Sequence, residues 1–287
     1  MKYGIREICD VVLKAKASVK IGNKTFAKGE PVIYFDSLKT STMEGAATTV
    51  YAQGGRGNTR LVAWEGGRTV TFTMEDALIS ELGLAVLTGA GIIEAGKDGN
   101  TGITVHTTAK YGATDTFSVE EDVEDTADIY AIELDEYDNV VATSDATHKV
   151  EFADGAFSYT KQSETTKAIM FDFYVKKATS AKQIEITADK FAGNYYLEAS
   201  TLFRSADGVD HPAEFIVPNC KIQSNFTFTM ASSGDPSTFT FTMDAFPDYT
   251  KFDYTKKVLS VIQIIDETAP IVDKTADADE TDESTAD

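Results

Sequence analysis

The sequence predicts a mainly β protein: an antiparallel β-sandwich or barrel domain with one flanking α-helix, plus an inserted small all-β module like an Ig sandwich. Three observations support this class. The composition is rich in Thr and aromatic residues, with 17 Phe and 12 Tyr against one Trp, and these residue types favour strands. Short runs with period-two alternation recur between turn residues. A helical period occurs in one stretch, directly after residue 75.

One strand motif, TFTM, occurs three times, at Thr71–Met74, Thr227–Met230 and Thr240–Met243. Each copy alternates apolar and hydroxyl side chains, which predicts a half-buried strand. The last two copies extend to FTFTM and flank a turn-forming sequence at 234–236. We therefore expect these two copies to form an antiparallel hairpin, with Phe and Met sealing a core and Thr on the other face.

The segment before the first copy predicts loops and short strands. SLKTSTMEGAATT (Ser37–Thr49) is polar and unpatterned, which indicates a long loop or a hairpin arm that leaves the body. Short strands are expected at 49–53 and 60–65, separated by GGRGN (Gly54–Asn58). The EGGR stretch at 65–68 has the composition of a tight two-glycine hairpin turn.

The helical period follows the first TFTM copy. Asp76 is placed to act as the N-cap of a helix in ALISELGLAVLTGAG. Apolar residues recur at i, i+4, i+7 and i+8 from Leu78, as on one face of a helix. Either Gly89 or Gly91 can take the left-handed conformation that ends the helix.

Changes in composition suggest the domain boundaries. Residues 1–100 and 181–265 are predicted to form one discontinuous β domain, into which residues 101–180 are inserted as an acidic β module. Turn residues such as Asp154-Gly155 separate the short strands of this module. Residues 266–287 form an acidic C-terminal tail without aromatic residues, a composition that predicts disorder.

The net charge is −20, and the first hundred residues contribute almost none of it. Such an acidic chain is not expected to bind nucleic acid by neutralising phosphates, and it would repel DNA. The acidity is explained equally well by a need for solubility and by a functional role. The N-terminal sequence MKYGIREICDVVLK lacks the long apolar region of a signal peptide, and no run approaches the ~20 apolar residues of a membrane span. A cytosolic, reduced compartment is therefore expected.

No residue pattern predicts a catalytic site, a cofactor or a metal ion. His106, His148 and His211 are far apart and have no Cys or His at metal-binding spacing. Cys9 and Cys220 are too distant in sequence to suggest a disulfide framework, so we expect free, semi-buried thiols. The alternative is a bond between subunits after release into an oxidising medium.

Three other stretches have simpler explanations than ligand binding. GAGIIEAG (Gly89–Gly96) has Glu94 where a dinucleotide fingerprint needs its third glycine, and it ends a helix instead of opening one. GGRGN could hold a phosphate, but no GK[ST] follows, so a turn is the better interpretation. The acidic run at 120–138 lacks a calcium-loop pattern, and a solvated face explains it better.

Three segments resemble tailed-bacteriophage virion proteins, most of all the tail tube (major tail) proteins. They are YAQGGRGNTRLVAWEGGRTVTFTMEDALIS, ITADKFAGNYYLEASTLFRSADGVDHPAEFIVPNCKIQSNF and ASSGDPSTFTFTMDAF. The resemblance covers roughly residues 1–100 and 181–265. It rests on the order of the pieces: strands, a strand followed by a helix, an inserted module and a closing hairpin.

This resemblance implies two packed antiparallel sheets flanked by a helix, with six copies in a ring whose strands complete a continuous inner β-barrel. Rings would stack into a tube through loops and hairpin arms, and DNA would pass down the bore without specific binding. The implied partners are copies of the chain itself and other tail proteins such as sheath, baseplate or terminator. The implied location is the virion tail, assembled in the host cytoplasm, with no enzymatic activity and no membrane contact.

Two further interpretations remain open at this stage. The chain could be another virion component, such as a capsid decoration, neck or baseplate protein. It could also be a β-sandwich binding or adhesin module that recognises carbohydrate through Trp64, Tyr195 or Tyr196. Core packing explains the aromatic stripe of the TFTM strands better than a ligand wall does.

Overall fold

A computed structural model describes residues 2–5, 7–21, 24–114, 116–124, 128–230, 232–234 and 237–265. The predicted acidic tail at 266–287 lies outside the described residues, as does most of the turn at 234–236. Within the described part, strands account for 54% and the one helix for 3%. The fold is therefore mainly β with several antiparallel sheets, which confirms the predicted class.

The elements follow one another as β1 (Tyr3–Ile5), β2 (Asp10–Ala15), β3 (Val19–Ile21), β4 (Lys24–Phe26), β5 (Pro31–Phe35), β6 (Leu38–Gly54), β7 (Thr59–Asp76), α1 (Glu81–Thr88), β8 (Ile92–Glu94), β9 (Ile103–Gly112), β10 (Tyr130–Leu134), β11 (Val140–Thr143), β12 (Glu151–Ala153), β13 (Ala156–Ser158), β14 (Ala168–Lys177), β15 (Lys182–Ile184), β16 (Asn194–Ser205), β17 (Asp210–Ile222), β18 (Phe239–Ala245) and β19 (Val261–Ile264). The described residues divide into two compact units. The first unit is drawn from Met1–Ala90 and Ile186–Asp287, and the second from Gly91–Glu185.

The first unit is built on a nine-stranded antiparallel sheet. Its order is β5-β2-β16-β17-β18-β7-β6, and β1 also pairs with β16 and β19 with β17. In β2, the sequence DVVLKA alternates so that Val11, Leu13 and Ala15 are at most 1% exposed. This alternation turns one face of the strand to the core. Within the described residues the sheet is open, with β5 and β6 at the two ends of its order.

The nine-stranded sheet curls so that its two halves pack against each other. β5 and β18 are four places apart in the strand order, which corresponds to about 19 Å across a flat sheet. Yet the rings of Phe35 on β5 and Phe241 on β18 lie 5.0 Å apart in an edge-on contact. The core of the unit therefore lies inside the curl, as in a sandwich.

The first and third TFTM copies are neighbours in this sheet. Across β7 and β18, Met74 pairs with Phe241 and Phe72 pairs with Met243. All four side chains are at most 2% exposed. Thr71 and Thr73 of β7 occupy the other face and are half-buried. The prediction that these two copies seal a core is confirmed.

The prediction that the second copy forms a hairpin with the third is wrong. Residues 226–230 belong to no strand, and Met230 is 90% exposed. β18 pairs with the end of β17 on one side and with β7 on the other. Beyond the bond from the Gln223 N–H to the Thr242 carbonyl (2.8 Å), the second copy stays beside the third without forming a strand ladder, and the rings of Phe228 and Phe239 lie 5.2 Å apart. An alternating pattern specifies a face but not a partner strand.

The single helix of the described residues begins later than the sequence suggested. Ser80, not Asp76, is the N-cap of α1, since its hydroxyl accepts a hydrogen bond from the Gly83 N–H at 2.9 Å. The Asp76 carboxylate instead accepts hydrogen bonds from the Ser37 hydroxyl (2.5 Å) and the Leu78 N–H (3.3 Å). Aspartate and serine are equally good caps, so residue type alone could not decide between them.

Helix α1 covers the core of the first unit. A Cβ added at Gly83 would lie 3.5 Å from the Ile33 side chain and 3.7 Å from the Phe241 ring. Gly89 ends the helix with φ 70°, as predicted. A side chain there would meet the backbone of Phe191 at 2.3 Å, so this position requires glycine both for its conformation and for space. No helix in the described residues is long and apolar enough to cross a membrane.

The second unit contains a four-stranded antiparallel sheet of order β11-β10-β14-β9. The hairpin β12–β13 packs on one face of this sheet, where the Phe157 ring stacks on the Phe171 ring at 4.6 Å. Asp154 and Gly155 both have positive φ and form the predicted turn of the hairpin. Buried Phe and Ile side chains of β14 complete this core.

One carboxylate, Glu133, is fully buried in the second unit. One of its oxygens accepts hydrogen bonds from the Tyr159 hydroxyl (3.0 Å) and the Gln162 N–H (2.5 Å). The other accepts from the Ser163 N–H (3.1 Å) and the Thr166 hydroxyl. Burial raises the pKa of Glu133, but these hydrogen bonds together outweigh it and hold the pKa below its usual value. The charged carboxylate therefore fixes the connection between β13 and β14.

Candidate interaction surface

Strands β6 and β7 extend far beyond the sheet as a two-stranded arm. β18 pairs with β7 over Thr71–Asp76 only, while β6 and β7 continue to pair with each other as far as Gly54 and Thr59. Residues 45–69, which we call the arm, are all exposed except for half-buried Ala52 and Gly54. Of the two interpretations of Ser37–Thr49, the long loop is wrong and the hairpin arm is confirmed for its end, since residues 38–44 of β6 pair with β7 within the sheet.

The arm turns at GGRGN. Gly55, Gly57 and Asn58 have φ values of 80°, 89° and 49°, and the Asn58 N–H donates to the Gly55 carbonyl at 3.2 Å. The interpretation of this stretch as a turn is confirmed. Its left-handed residues suit glycine and asparagine.

The second predicted turn, EGGR at 65–68, is wrong. β7 runs through Gly66 and Gly67, and the ladder takes a register shift between Ala47 and Thr49 of β6. A Cβ at Gly66 would lie 2.5 Å from the Thr48 hydroxyl oxygen. This glycine therefore allows a close backbone approach at a bulge.

Large apolar side chains line the exposed arm. Val50 and Trp64 face each other across the ladder and are 62% and 56% exposed, while Leu61 and Val62 are 65% and 49% exposed. A cluster of exposed large apolar residues marks a surface that another molecule covers. Sequence reasoning named Trp64 as a possible sugar contact and missed Val50, Leu61 and Val62. The available signal was the pair of short apolar runs on the two sides of the turn, VYAQ and LVAW.

The outer edge of β6 has no strand partner among the described residues, because its one ladder is with β7. The strand is 17 residues long, three times the usual strand length of about 5–6 residues. An extended edge presents unpaired N–H and C=O groups that can bond a strand of another chain. Of its residues only Lys39 and Glu44 are charged, so the edge has few of the charges that normally prevent such pairing.

The arm differs in charge from the rest of the chain. Residues 45–69 contain three arginines, Arg56, Arg60 and Arg68, and one acidic residue, Glu65. The guanidinium of Arg60 lies 4.1 Å from the centre of the Tyr51 ring, a cation–π contact. The arm is thus apolar and basic, while the chain as a whole has a net charge of −20.

The structure does not bring the three histidines together. His106 lies 2.9 Å from Asp172, and His148 lies 3.4 Å from Asp145. His211 is buried with its ring 5.5 Å from that of Tyr3. Among the described residues, no group of three His, Cys, Asp or Glu side chains is arranged to hold a metal ion.

Both cysteines are free and buried. Burial raises the pKa of the Cys220 thiol to about 12 and also raises the pKa of Cys9. A thiol held protonated is a poor nucleophile and metal ligand. The expected semi-buried thiols are in fact fully buried.

Two of the three residues on which the carbohydrate-binding alternative depends are buried. Tyr195 and Tyr196 are 2% and 4% exposed, so their rings are not available as a stacking platform. Trp64 is exposed, but it lies on the arm among aliphatic side chains. Its position fits a protein contact better than a sugar site.

A comparison with protein families matches residues 11–259 to the YomU/Tube protein family. The chain belongs to the YomU/Tube protein family. The match covers both units and includes the whole arm. The name of the YomU/Tube family is consistent with a phage tube structural protein, in agreement with the resemblance seen in the sequence. No curated protein matches the chain.

Proposed function

We propose that this YomU/Tube protein is the subunit of a phage tail tube. Copies join side by side into rings, six being the number that the resemblance to major tail proteins implies, and the rings stack into a hollow tube. The tube is the conduit for DNA at ejection. The protein works as a structural part of the virion and not as an enzyme.

The exposed arm carries this proposal. It offers a long unpaired strand edge and a row of apolar side chains, from Val50 to Trp64, that no described residue covers. A solvated protein gains by burying both kinds of surface, because apolar area leaves water and the edge acquires hydrogen bonds. A second copy of the same chain supplies a matching acidic surface for the arginines of the arm.

The acidity of the chain suits a conduit. DNA that moves through a tube must not adhere to the wall, and like-charge repulsion keeps its affinity low. The proposed partners are therefore copies of the chain, together with other tail proteins such as sheath, baseplate or terminator, while DNA passes without specific binding. The proposed location is the virion tail, assembled in the host cytoplasm.

Removal of the apolar face of the arm tests the proposal. With a tail initiator added, we expect the native chain to sediment as large assemblies, and a V62E/W64E variant to sediment as a folded monomer with an unchanged circular dichroism spectrum. The matched control is Tyr137→Glu, which alters a 77% exposed aromatic residue of the second unit and leaves assembly intact. Assembly of the arm variant to the same extent as the native chain would contradict the proposal.

A further inference from the structure

One pocket of the first unit has a composition unlike that of the acidic chain. Its volume is about 290 Å³. It is lined by three lysines and three tyrosines, namely Lys16, Lys28, Lys251, Tyr196, Tyr249 and Tyr254, which we call the lysine pocket. Asp248 is the single acidic residue of its lining. The pocket is thus locally basic in a chain of net charge −20.

The lysines of the pocket are only partly neutralised. The Lys16 ammonium lies 2.7 Å from the Asp248 carboxylate and donates to the Pro218 carbonyl at 2.9 Å. Lys28 is exposed. Lys251 is 45% exposed, and its ammonium lies 4.7 Å from the centre of the Tyr196 ring.

Next to the pocket, the Glu198 carboxylate lies close to the ammonium groups of two lysines. Glu198 forms an ion pair with Lys14 and lies 3.8 Å from Lys251. Burial lowers the pKa of Lys251, and repulsion from Lys14 lowers it further. Burial and the neighbouring Glu198 raise the pKa of Glu214, so a second carboxylate lies near these ammonium groups, while the pocket lining itself holds three lysines against one aspartate. A bound anion would relieve the repulsion, and the tyrosine hydroxyls are suitable donors to carboxylate oxygens.

We propose that the lysine pocket binds the acidic C-terminal segment of its own chain, residues 266–287. This segment contains nine Asp and Glu residues against the single Lys274. Its charge is complementary to the pocket. Four of its acidic residues fall within five positions, 279–283, so several carboxylates can meet several ammonium groups at once.

The geometry of the chain allows this contact within one molecule. The N–H of Ile265 donates to the Pro212 carbonyl at 2.9 Å, and Pro212 pairs with Leu202 of β16. Tyr196 lies six residues before Leu202 on β16, which is a distance of about 20 Å. The fourteen residue steps from Ile265 to Asp279 span up to about 46 Å when extended. The tether therefore reaches the pocket and gives the segment a high effective concentration there.

Lysine acetylation in dilute, unassembled protein tests the proposal. The full chain is compared with a chain that ends at Ile265, and the modification rate of each lysine is read by mass spectrometry. We expect Lys28 and Lys251 to react several-fold more slowly in the full chain. Lys39 on β6 and Lys149 in the second unit should react equally in both proteins.

A segment of full length with its four clustered carboxylates neutralised separates electrostatic docking from simple coverage. The variant D279N/E280Q/D282N/E283Q should lose the protection of Lys28 and Lys251. The control variant E120Q/E136Q/E151Q/E164Q removes the same number of exposed charges from the second unit and should retain it. Raising the salt concentration to about 1 M, where the screening length is about 3 Å, should also abolish protection.

Two results would overturn the proposal. Equal reactivity of Lys28 and Lys251 in the full and shortened chains would show that the segment does not bind there. Protection that increases with protein concentration would show that another copy supplies the segment. Neither result depends on tube formation, so the outcome is independent of the function proposed above.

Discussion

Phe241 lies directly opposite Met74 across strands β18 and β7, so the first and third copies of TFTM form one buried ladder. The pairing joins segments that are more than 160 residues apart in the sequence. Each phenylalanine of one copy faces a methionine of the other, and the resulting apolar row closes the inside of the curled sheet. The repeat is thus part of the core of the first unit.

The second and third copies provide a matched pair of substitutions. Met243→Ala removes a side chain that is 0% exposed, and we expect a loss of about 2–5 kcal/mol in the free energy of unfolding. Met230→Ala alters the same position of the motif where the side chain is 90% exposed, and we expect a change within about 0.5 kcal/mol. Urea denaturation measures both. Equal losses would show that the second copy is also buried.

The end of the helix gives a second prediction. Gly89→Ala places a Cβ 2.3 Å from the Phe191 carbonyl oxygen at a residue with φ 70°, and we expect a loss of at least about 1–2 kcal/mol. Gly91→Ala is the control, because a Cβ there meets nothing within 4 Å. Thermal unfolding should show a lower Tm for Gly89→Ala alone. A Tm equal to that of the native chain would mean that α1 ends differently.

Glu133 predicts a pH dependence in the second unit. Its pKa in the folded chain lies below the ordinary value of about 4.3. The stability that it contributes is therefore present above pH 4.3 and is lost as the pH falls through the folded-state pKa. We expect Glu133→Gln to cost about 2–3 kcal/mol at pH 7, because the amide cannot accept all four hydrogen bonds. The cost should shrink below pH 4.

The cost of Glu133→Gln can be measured by hydrogen exchange of the amides of β10 and β14 during a urea titration. The titration is done once at pH 7 and once in acid. Glu164→Gln is the control, since the Glu164 side chain is 99% exposed and its removal should change nothing at either pH. A cost of Glu133→Gln that stays constant from pH 7 to pH 3 would contradict the assigned charge state.

The sequence predicted those parts of the fold that depend on local periodicity. The alternation in TFTM indicated which side chains of β7 and β18 are buried, and Gly89 indicated the end of α1. The partner of each strand could not be predicted from this alternation. The second copy at 226–230 has the same alternation as the third, but it forms no strand, and the ladder of β17 with β18 ends at Ile222.

The candidate surface could be predicted only in part. The polar run at Ser37–Thr49 suggested an arm, and GGRGN suggested its turn. Trp64 was named as a possible sugar contact, but the exposure of Val50, Leu61 and Val62 was not predicted, because apolar residues in a strand are more often buried. Gly66 and Gly67 suggested a turn, whereas β7 continues through them and its ladder with β6 shifts register there. Such a shift depends on the partner strand and cannot be predicted from the two glycines alone.

Electron microscopy of the purified chain tests the central claim most directly, namely that this YomU/Tube protein builds a tube from copies of itself. We expect hollow rods of stacked rings with a regular axial repeat, at least when a tail initiator is added. Dispersed monomers under both conditions, from a chain with native circular dichroism, would contradict the account.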